Sequence, residues 1–470
     1  MIALTLAELA AAVDGRLVPA RGDGGDTVVS GAVDTDSRLI GPGGVFVAKP
    51  GETTDGHLFV PAAVDAGAAV AIVEREVDAD VSQIVVADVL DALAELAREV
   101  VARVRAQGRL RIAAITGSNG KTTTKNLLAR ILSDEGETVA PRASFNNEVG
   151  APLTMLRVTA DTRYLVSELS ARGPGELTRL ARLIEPDVGV VLMVGMAHGG
   201  LFGSIEATAA AKAELVEQLR PGGVAVLNAD DPRVAAMAEI AARRDAAVRW
   251  FGQRAAADVR AQDVEATAAG TTLTVTADGV SRPLRLRVIG AHHVNNALAA
   301  IAAATALGIS LDDAIARLET VELAERWRMQ PMGSESVRII NDAYNASPDS
   351  VSAALRALAQ ITGPDERTVV VLGAMSELGE FAGEEHDRIG ELAVRLRIQR
   401  IVVVGDDARR IYLAAVGEGS WNSEAVFFST ADEAFDYLRG ELRDGDRVLV
   451  KSSNAAGLRF LGDRLGESFS

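Results

Sequence analysis

The stretch from residue 112 to residue 132 constrains the fold more than any other part of the chain. An apolar and partly β-branched run, Ile112 to Thr116, predicts a buried strand of a parallel sheet. A glycine turn follows, and leucines at helical spacing then predict a helix from Lys121 to Leu132. A strand, a glycine turn and a helix in this order indicate a phosphate-binding loop in an α/β domain.

The turn supplies the groups that hold a nucleotide phosphate, and its residues are Gly117, Ser118, Asn119, Gly120, Lys121, Thr122 and Thr123. Its backbone amides and the helix N-terminus favour an anion, Lys121 adds a positive charge, and the Thr122 hydroxyl can hold Mg²⁺. The usual pattern has its first glycine where this chain has Ile115, so the loop is a variant. The alternative is an ordinary glycine-rich turn that binds no ligand.

Composition excludes several classes of function, since the chain has 470 residues, no cysteine and a formal net charge of -17. The length predicts about three domains. The negative charge argues against a nucleic-acid or anionic-membrane surface. The absence of cysteine excludes disulfides, a thiolate nucleophile and a zinc–thiolate site. The first residues lack the pattern of a signal peptide and every apolar run is interrupted, so we expect a cytoplasmic protein without membrane insertion.

The order of predicted elements divides this α/β chain into three domains. Residues 1–82 contain short strands and helices and form a small mixed α/β module. Residues 83–327 alternate strands and helices around the phosphate loop, as in a doubly wound domain, and residues 258–289 predict a hairpin with a longer loop at its tip. Residues 328–470 form a Rossmann-like unit without a phosphate loop, which we expect to receive a substrate and close over the nucleotide.

Polar side chains follow successive strands of the predicted central sheet. Glu168 ends one strand, His198 lies beyond the end of another, and Asn228 ends a third. Ligands of open parallel sheets lie outside the carboxyl ends of the strands, so we expect these residues beside the phosphate loop. Together they predict a Mg²⁺–nucleotide site, whereas each residue alone is explained equally well as a solvated carboxylate or a turn residue.

Two further groups of polar residues are less specific. A helix opens with His292 and Asn296, which can offer hydrogen-bonding groups to a purine or can simply cap the helix. Arg38, Lys49 and His57, on short loops of the first module, can bind an anionic ligand or can be solvated turn residues.

Together these motifs resemble the Mur ligase family, and the resemblance covers nearly the whole chain. The loop around Lys121 is similar to the variant loop of that family, which accounts for Ile115. The runs Asp342 to Ala346 and Leu372 to Gly379 are similar to signatures of its C-terminal domain. The resemblance implies an ATP-dependent amide ligase of peptidoglycan precursor synthesis that acts through an acyl phosphate. It implies UDP-N-acetylmuramoyl-tripeptide and D-alanyl-D-alanine as substrates, with residues 1–82 as the UDP-binding domain.

The resemblance also implies cofactors and catalytic residues. ATP and two Mg²⁺ ions are the implied cofactors, and Lys121, Glu168, His198 and a carbamylated Lys212 are the implied catalytic residues. The implied metal ligands are Thr122, Glu168, His198 and Lys212.

Binding residues carry over in the same way. Asn228, His292 and Asn296 match residues near adenine and ribose. Arg328 and Asp342 match an arginine and an aspartate that reach ATP when the domains close. The implied contacts to the other substrates are Ser37, Arg38, Lys49, Asn146, Asn147, Tyr344 and Asn345.

Four positions depart from the family pattern, namely Ser144, His293, Ala374 and Ser452. They leave the ATP chemistry intact and affect individual substrate contacts, chiefly at Ser144 and at Lys451, which precedes Ser452. Two other functions remain open, which are another Mur-type or folyl-polyglutamate ligase and a nucleotide-binding switch without enzymatic activity. The C-terminal signature and the first module argue against the former, and the separate substrate domain argues against the latter. We expect a monomer.

Overall fold

The architecture comes from a computed structural model and consists of three successive α/β parts. The described residues are 1–51, 54–142, 144–196, 199–267, 270–287, 290, 292–321, 326–419 and 424–470. None of the helices within these ranges combines the length and the apolar character that a membrane crossing requires.

The first part builds a small sheet and three helices. Its strands are β1 Leu4–Thr5, β2 Arg16–Val18, β3 Val28–Val29, β4 Val33–Asp34, β5 Gly44–Val47, β6 Ala68–Val73 and β7 Ser82–Val85. Its helices are α1 Leu6–Ala12, α2 Val60–Asp65 and α3 Val89–Ala106. Five strands form one sheet in the order β2-β7-β6-β5-β4, and β1 pairs with β3. Thr5 and Glu8 form a capping box that starts α1.

The central part contains nine strands and nine helices within the described ranges. The strands are β8 Arg111–Thr116, β9 Thr138–Val139, β10 Tyr164–Glu168, β11 Val188–Val191, β12 Val224–Asn228, β13 Ala247–Gly252, β14 Val259–Thr267, β15 Gly270–Ala277 and β16 Val280–Leu286. The helices are α4 Lys121–Ser133, α5 Gly150–Met155, α6 Glu176–Arg182, α7 Gly199–Phe202, α8 Ile205–Glu217, α9 Pro232–Ala235, α10 Ala238–Arg243, α11 His292–Ala306 and α12 Leu311–Leu318.

Helices cover both faces of the central sheet, whose strand order is β16-β15-β14-β13-β12-β11-β8-β10-β9. Alternate residues of β8 point to opposite cores, because Ile115 packs with α4 and α11 while Ile112 packs with α3, α5 and α8. The strands from β9 to β13 pair in parallel. This confirms the predicted doubly wound arrangement, with the carboxyl ends of β12, β11, β8 and β10 side by side.

The hairpin after β14 differs from the prediction at its tip. The predicted longer loop is wrong, since only Asp278 and Gly279 join β15 to β16. Both residues have positive φ, 51 and 78 degrees, as in the tight turns that match the twist of hairpin strands. The sequence already carried this signal, because Asp-Gly is a preferred pair for such turns.

The third part is a six-stranded sheet covered by helices. Its strands are β17 Gln330–Gly333, β18 Val337–Asn341, β19 Arg367–Leu372, β20 Arg400–Val404, β21 Ala425–Phe428 and β22 Asp446–Lys451. Its helices are α13 Pro348–Ile361, α14 Ala382–Arg395, α15 Arg409–Glu418, α16 Ala431–Glu441 and α17 Arg459–Ser468. The order is β17-β18-β22-β19-β20-β21, and all neighbours are parallel except the edge strand β17.

A buried histidine joins α14 to the loop after β19. His386 Nε2 accepts a hydrogen bond from the Met375 amide at 3.0 Å, so Nδ1 carries the ring hydrogen and donates to the Ala382 carbonyl at 2.6 Å. This pairing requires the neutral imidazole. Burial accordingly lowers the pKa of His386.

We expect His386 to make the stability of the protein pH-dependent. The unfolded chain binds a proton on this histidine at higher pH than the folded chain, so the free energy of unfolding falls as the pH drops below about 6.5. Each unit of pKa difference corresponds to about 1.4 kcal/mol. The thermal midpoint of the wild type should therefore fall more between about pH 7.5 and about pH 5.5 than that of His386→Gln. Equal falls in the two proteins would contradict this assignment.

Candidate active site

The phosphate loop leaves β8 at the carboxyl edge of the sheet and leads into α4. Gly117 and Gly120 have positive φ of 151 and 83 degrees. A Cβ atom on Gly120 would collide with Oδ1 of Asn296, so glycine lets this side chain approach the loop. Lys121 Nζ donates to the Gly117 carbonyl at 2.7 Å, and burial lowers the pKa of this lysine. The loop therefore has the backbone and the cation that a phosphate requires.

Strand register brings Glu168 to the phosphate loop. Glu168 lies opposite Ile115 in the parallel pair of β10 and β8. Its Oε1 accepts hydrogen bonds from Thr122 Oγ1 at 3.2 Å and from Asn146 Nδ2 at 2.7 Å. Its Oε2 is buried and has no hydrogen-bond partner among the described residues. A buried carboxylate oxygen without a partner requires an explanation, and a bound cation supplies one.

Ser144 connects the central part to the C-terminal part. Its hydroxyl lies 3.2 Å from Thr122 Oγ1 and accepts hydrogen bonds from Arg328 Nη2 at 3.1 Å and from Tyr344 Oη at 3.4 Å. Arg328 also donates to Thr122 Oγ1 at 3.3 Å, and its guanidinium stacks over the Tyr344 ring at 4.1 Å. The serine that departs from the family pattern therefore contacts three predicted site residues.

The segment that carries Arg328 has a strained backbone. Trp327 and Met329 have φ of 65 and 46 degrees, a region that bulky residues rarely adopt. Trp327 Nε1 donates to both carboxylate oxygens of Asp463 at 3.0 Å, and the Met329 amide donates to Asp342 Oδ1 at 3.0 Å. These bonds stabilise the strained segment, and they attach Arg328 to the C-terminal part.

Asp342 also neutralises a buried lysine. Its Oδ2 lies 2.7 Å from Lys451 Nζ, which in addition donates to the carbonyls of Asp342 and Asn345. Lys451 is buried, so its charge is satisfied within the wall of the site. Ser452, the next residue, is buried and donates to the Ser453 carbonyl, so this departure serves the local structure.

Two asparagines lie on the other side of β8 from Glu168. Asn228 ends β12 and donates to the Leu192 carbonyl at 2.8 Å. Asn296 on α11 is buried, with Nδ2 at 3.4 Å from Nδ1 of His293. The side chain of His292 lies outside the described part of the chain.

All three parts of the chain line one cleft of about 1190 Å³. It brings together the predicted residues Lys49, Ser118, Asn119, Gly120, Lys121, Thr122, Thr123, Asn146, Asn147, Glu168, Asn228, Asn296, Arg328, Asp342, Tyr344 and Asn345. Gly117, Ser37 and Arg38 are not part of this lining, and Arg38 pairs with Asp36 at 2.6 Å with its own side chain 86% exposed. His198 lies outside the described residues.

His57 holds the Lys49 loop and does not contact a ligand. It is 2% exposed, its Nε2 accepts from the Glu74 amide at 2.9 Å, and its Nδ1 therefore donates to Asp55 Oδ1 at 2.7 Å. The interpretation of His57 as a ligand contact is wrong, because both ring nitrogens are already used. Lys49, whose carbonyl accepts from the Gly56 amide in the same loop, remains in the cleft.

Lys212 on α8 is buried, with only 1% of its surface exposed, and it is not among the residues that line the cleft. Its Nζ lies 5.6 Å from the centre of the Phe202 ring. Burial and the positive charge of Lys121 lower the pKa of Lys212 to about 7. A large fraction of this lysine is therefore neutral, and thus nucleophilic, near neutral pH.

The C-terminal part contacts the phosphate loop and the loop after β11. Ser347 Oγ donates to Asn119 Oδ1 at 3.0 Å. Asp349 Oδ2 accepts from the Met196 amide at 3.0 Å. The start of α13 therefore closes one side of the cleft directly over the predicted nucleotide site.

Three family models match successive regions of the chain. The model of the Mur ligase family catalytic domain matches residues 31–105, that of the Mur ligase middle domain matches 115–304, and that of the Mur ligase glutamate ligase domain matches 327–454. The chain belongs to the Mur ligase family.

The similarity between this Mur ligase and its relatives covers nearly its full length. A UDP-N-acetylmuramoyl-tripeptide--D-alanyl-D-alanine ligase of Mycobacterium tuberculosis is 45% identical over an alignment 505 positions long. The alignment covers 99% of this chain and 98% of the relative. A crystal structure of MurF from Acinetobacter baumannii has a TM-score of 0.89 at 32% identity and covers 99% of both chains. MurF from Thermotoga maritima in complex with ADP has a TM-score of 0.81 at 27% identity, with 93% of this chain and 97% of that chain covered.

Sequence reasoning missed Asp463 and the structural role of Trp327 in this Mur ligase. Asp463 lies in the amphipathic helix α17, and nothing in its local pattern points to a residue 136 positions earlier. A weak signal was present in Trp327, which is one of three tryptophans and precedes the predicted Arg328.

We expect Asp463→Asn to lower turnover while leaving the fold intact, because the amide keeps the shape of the side chain but loses its charge. Arg328 is then held less firmly, and kcat should fall roughly 3- to 10-fold, with a smaller change in the KM for ATP. Asp432→Asn is the matched control, since Asp432 forms an exposed ion pair with Arg464 on the same helix α17. Steady-state kinetics and thermal midpoints test this, and wild-type kcat in Asp463→Asn would refute it.

Proposed function

We propose that this Mur ligase joins D-alanyl-D-alanine to UDP-N-acetylmuramoyl-tripeptide and converts ATP to ADP and phosphate in the process. The observation that carries the proposal is the convergence of Lys121, Glu168 and Arg328, from two parts of the chain, on one phosphate loop. Nearly full-length relatives that bear this name support the choice of substrates.

The chemistry follows from the electrophile that an amide ligase needs. A carboxylate is a poor electrophile, so the γ-phosphate is first transferred to the tripeptide carboxylate, which yields an acyl phosphate and ADP. The amine of D-alanyl-D-alanine then attacks the acyl carbon, and phosphate leaves. Phosphoryl transfer depends on positioning and charge neutralisation, which the loop amides, Lys121 and Arg328 provide.

The closed cleft protects the activated carboxylate. Water would hydrolyse an acyl phosphate, so the reaction needs a site from which bulk water is excluded. Ser347 and Asp349 at the start of α13, together with Arg328, reach the central part and cover the phosphate loop. Closure therefore brings Arg328 to the phosphate loop beside Lys121 and limits the access of water at the same time.

The residues beside the loop fit Mg²⁺. The Thr122 hydroxyl and the Glu168 carboxylate are hard oxygen ligands, and Oε2 of Glu168 lacks a protein partner among the described residues. No group of three or more His, Cys, Asp and Glu side chains converges within the described ranges, so phosphate oxygens and water would complete the coordination. The ion would neutralise phosphate charge. A second Mg²⁺, held by Glu168, His198 and a carbamylated Lys212, is part of the same proposal.

The UDP-linked substrate enters from the first part of the chain. Lys49 supplies a cation to this wall of the cleft, and Asn146 and Asn147 line the same cleft. We expect Ser37 and Arg38 to contact the substrate only when it is bound. We also expect a monomer to be active, since one chain supplies all walls of the cleft described here.

The environment of Lys212 supports the proposal that this lysine is carbamylated. A neutral amine captures CO₂, forms a C–N bond and releases one proton, and the position then carries a negative charge. An ordinary lysine is neutral in only about one molecule in a thousand at pH 7, whereas a pKa of about 7 makes about half of it reactive. The resulting carboxylate oxygens suit Mg²⁺ and remove the repulsion between Lys212 and Lys121.

We expect Lys212→Ala to be nearly inactive and to recover part of its activity in acetate or formate, which replace the carbamate. Lys212→Arg should stay inactive without such recovery, since it fills the space and keeps a positive charge. With carbon-13 bicarbonate, the wild type should show a carbamate signal by NMR that both variants lack. Normal activity in Lys212→Ala would exclude the carbamate.

The function itself is tested by product formation. We expect ADP and phosphate to appear only when ATP, UDP-N-acetylmuramoyl-tripeptide and D-alanyl-D-alanine are all present, together with one new amide bond detected by mass spectrometry. Lys121→Ala should fold normally and lose on the order of 2–4 kcal/mol of transition-state stabilisation, which is about 30- to 1000-fold in rate. Nucleotide turnover independent of the dipeptide, or wild-type rates in Lys121→Ala, would contradict the proposal.

A further inference from the structure

One face of α13 forms part of the C-terminal wall of the cleft. Asp349, Ser352, Ala353 and Arg356 recur at helical spacing, and all four line the cleft. Along the helix this face presents a carboxylate, then a hydroxyl and a methyl group, and finally a guanidinium. The order of charges is complementary to a short peptide with a free amine at one end and a free carboxylate at the other.

Arg356 differs from the other cations of this wall. Lys451 and Arg388 are paired with carboxylates at 2.7 and 3.0 Å, and Arg328 is directed to the phosphate loop. Arg356 is exposed to the cleft and makes no hydrogen bond, ion pair or ring contact with any described residue. Its five donors are therefore available to a ligand.

The direction of α13 fixes which end of a ligand reacts. Ser347 and Asp349, at the start of the helix, contact Asn119 and Met196 beside the phosphate loop. Arg356 lies seven residues after Asp349, about 10 Å farther along the helix axis. A ligand carboxylate held by Arg356 is thus kept away from the phosphate loop, and the opposite end of the ligand lies beside it.

We propose that Arg356 binds the C-terminal carboxylate of the dipeptide acceptor and that this face of α13 is the acceptor subsite. The inference rests on the proposed ligase function and names the residue that selects the acceptor. An extended dipeptide spans about 7 Å, and the flexible arginine side chain covers the remaining distance. Asp349 attracts the ammonium end and so orients it towards the phosphate loop.

The subsite predicts a chemical rule for acceptors. A guanidinium forms two parallel charge-assisted hydrogen bonds with a carboxylate, and an uncharged amide cannot replace these bonds. Short peptides with a free carboxylate should therefore be good acceptors, and the same peptides with an amidated C-terminus should be poor ones.

Steady-state kinetics with D-alanyl-D-alanine and with D-alanyl-D-alaninamide, whose C-terminus is uncharged, test the proposal. In the wild type, the amide should have a KM roughly 10- to 100-fold higher than the acid, the range expected for loss of hydrogen bonds to a charged group. Arg356→Ala should raise the KM for the acid by a similar factor, leave the KM for ATP unchanged, and no longer distinguish acid from amide. Arg356→Lys should restore part of the preference.

Two controls separate this proposal from its alternatives. Arg439→Ala removes an exposed arginine of the same part that does not line the cleft, and it should behave as the wild type. If Arg356→Ala keeps the preference for the acid, or if Arg388→Ala alone abolishes it, the assignment of Arg356 is wrong. If the wild type ligates neither acceptor, the proposed function fails, and this result is distinct from an intact ligase with an unaltered Arg356→Ala variant.

Discussion

The register between β8 and β10 is the constraint on which the site depends. Glu168 lies opposite Ile115, one residue before the end of β8, and this places its carboxylate within reach of Thr122. A slip of one residue would turn Glu168 to the opposite face of the sheet. Apolar residues on both faces of β8 oppose such a slip, since each face packs into a separate buried core. The two cores therefore hold the geometry of the candidate site as well as the fold.

Charge in the cleft is arranged so that ligands complete it. Burial lowers the pKa of Lys121, which lines the cleft, and that of Lys212, which lies on α8 outside the lining, and the charge of Lys121 lowers the pKa of Lys212 further. Glu168 leaves one buried oxygen without a partner in the described part of the chain. Phosphate would pair with Lys121 and a metal ion with the carboxylate. The buried charges that are unfavourable in the ligand-free site therefore favour binding of nucleotide and metal.

Much of this arrangement could be predicted from the sequence. The loop from Gly117 to Thr123 and the polar ends of β10 and β12 carry local signals, because turn chemistry and apolar runs are written in adjacent residues. The structure places the loop residues 118–123 together with Glu168 and Asn228 in one cleft, as expected from the rule that ligands lie at the carboxyl ends of parallel strands.

The parts that could not be predicted are set by contacts between distant segments. Nothing near Ser144 indicates that its hydroxyl contacts Arg328, and nothing near Asp463 indicates that it holds Trp327. Likewise, the local sequence around His57 is compatible with a ligand contact and with burial. Tertiary packing buries this histidine, and the local sequence does not show it. Such long-range contacts depend on how whole elements dock, which local patterns do not encode.

The contact between α13 and the phosphate loop has a consequence for the end of the reaction cycle. Ser347 is bonded to Asn119, so a nucleotide on the loop is covered by the C-terminal part for as long as this bond persists. Release of ADP therefore requires this bond to break and the two parts to separate. Departure of the spent nucleotide is thereby linked to separation of the C-terminal part from the phosphate loop, and we expect a more viscous solvent, which slows that separation, to lower the rate of turnover.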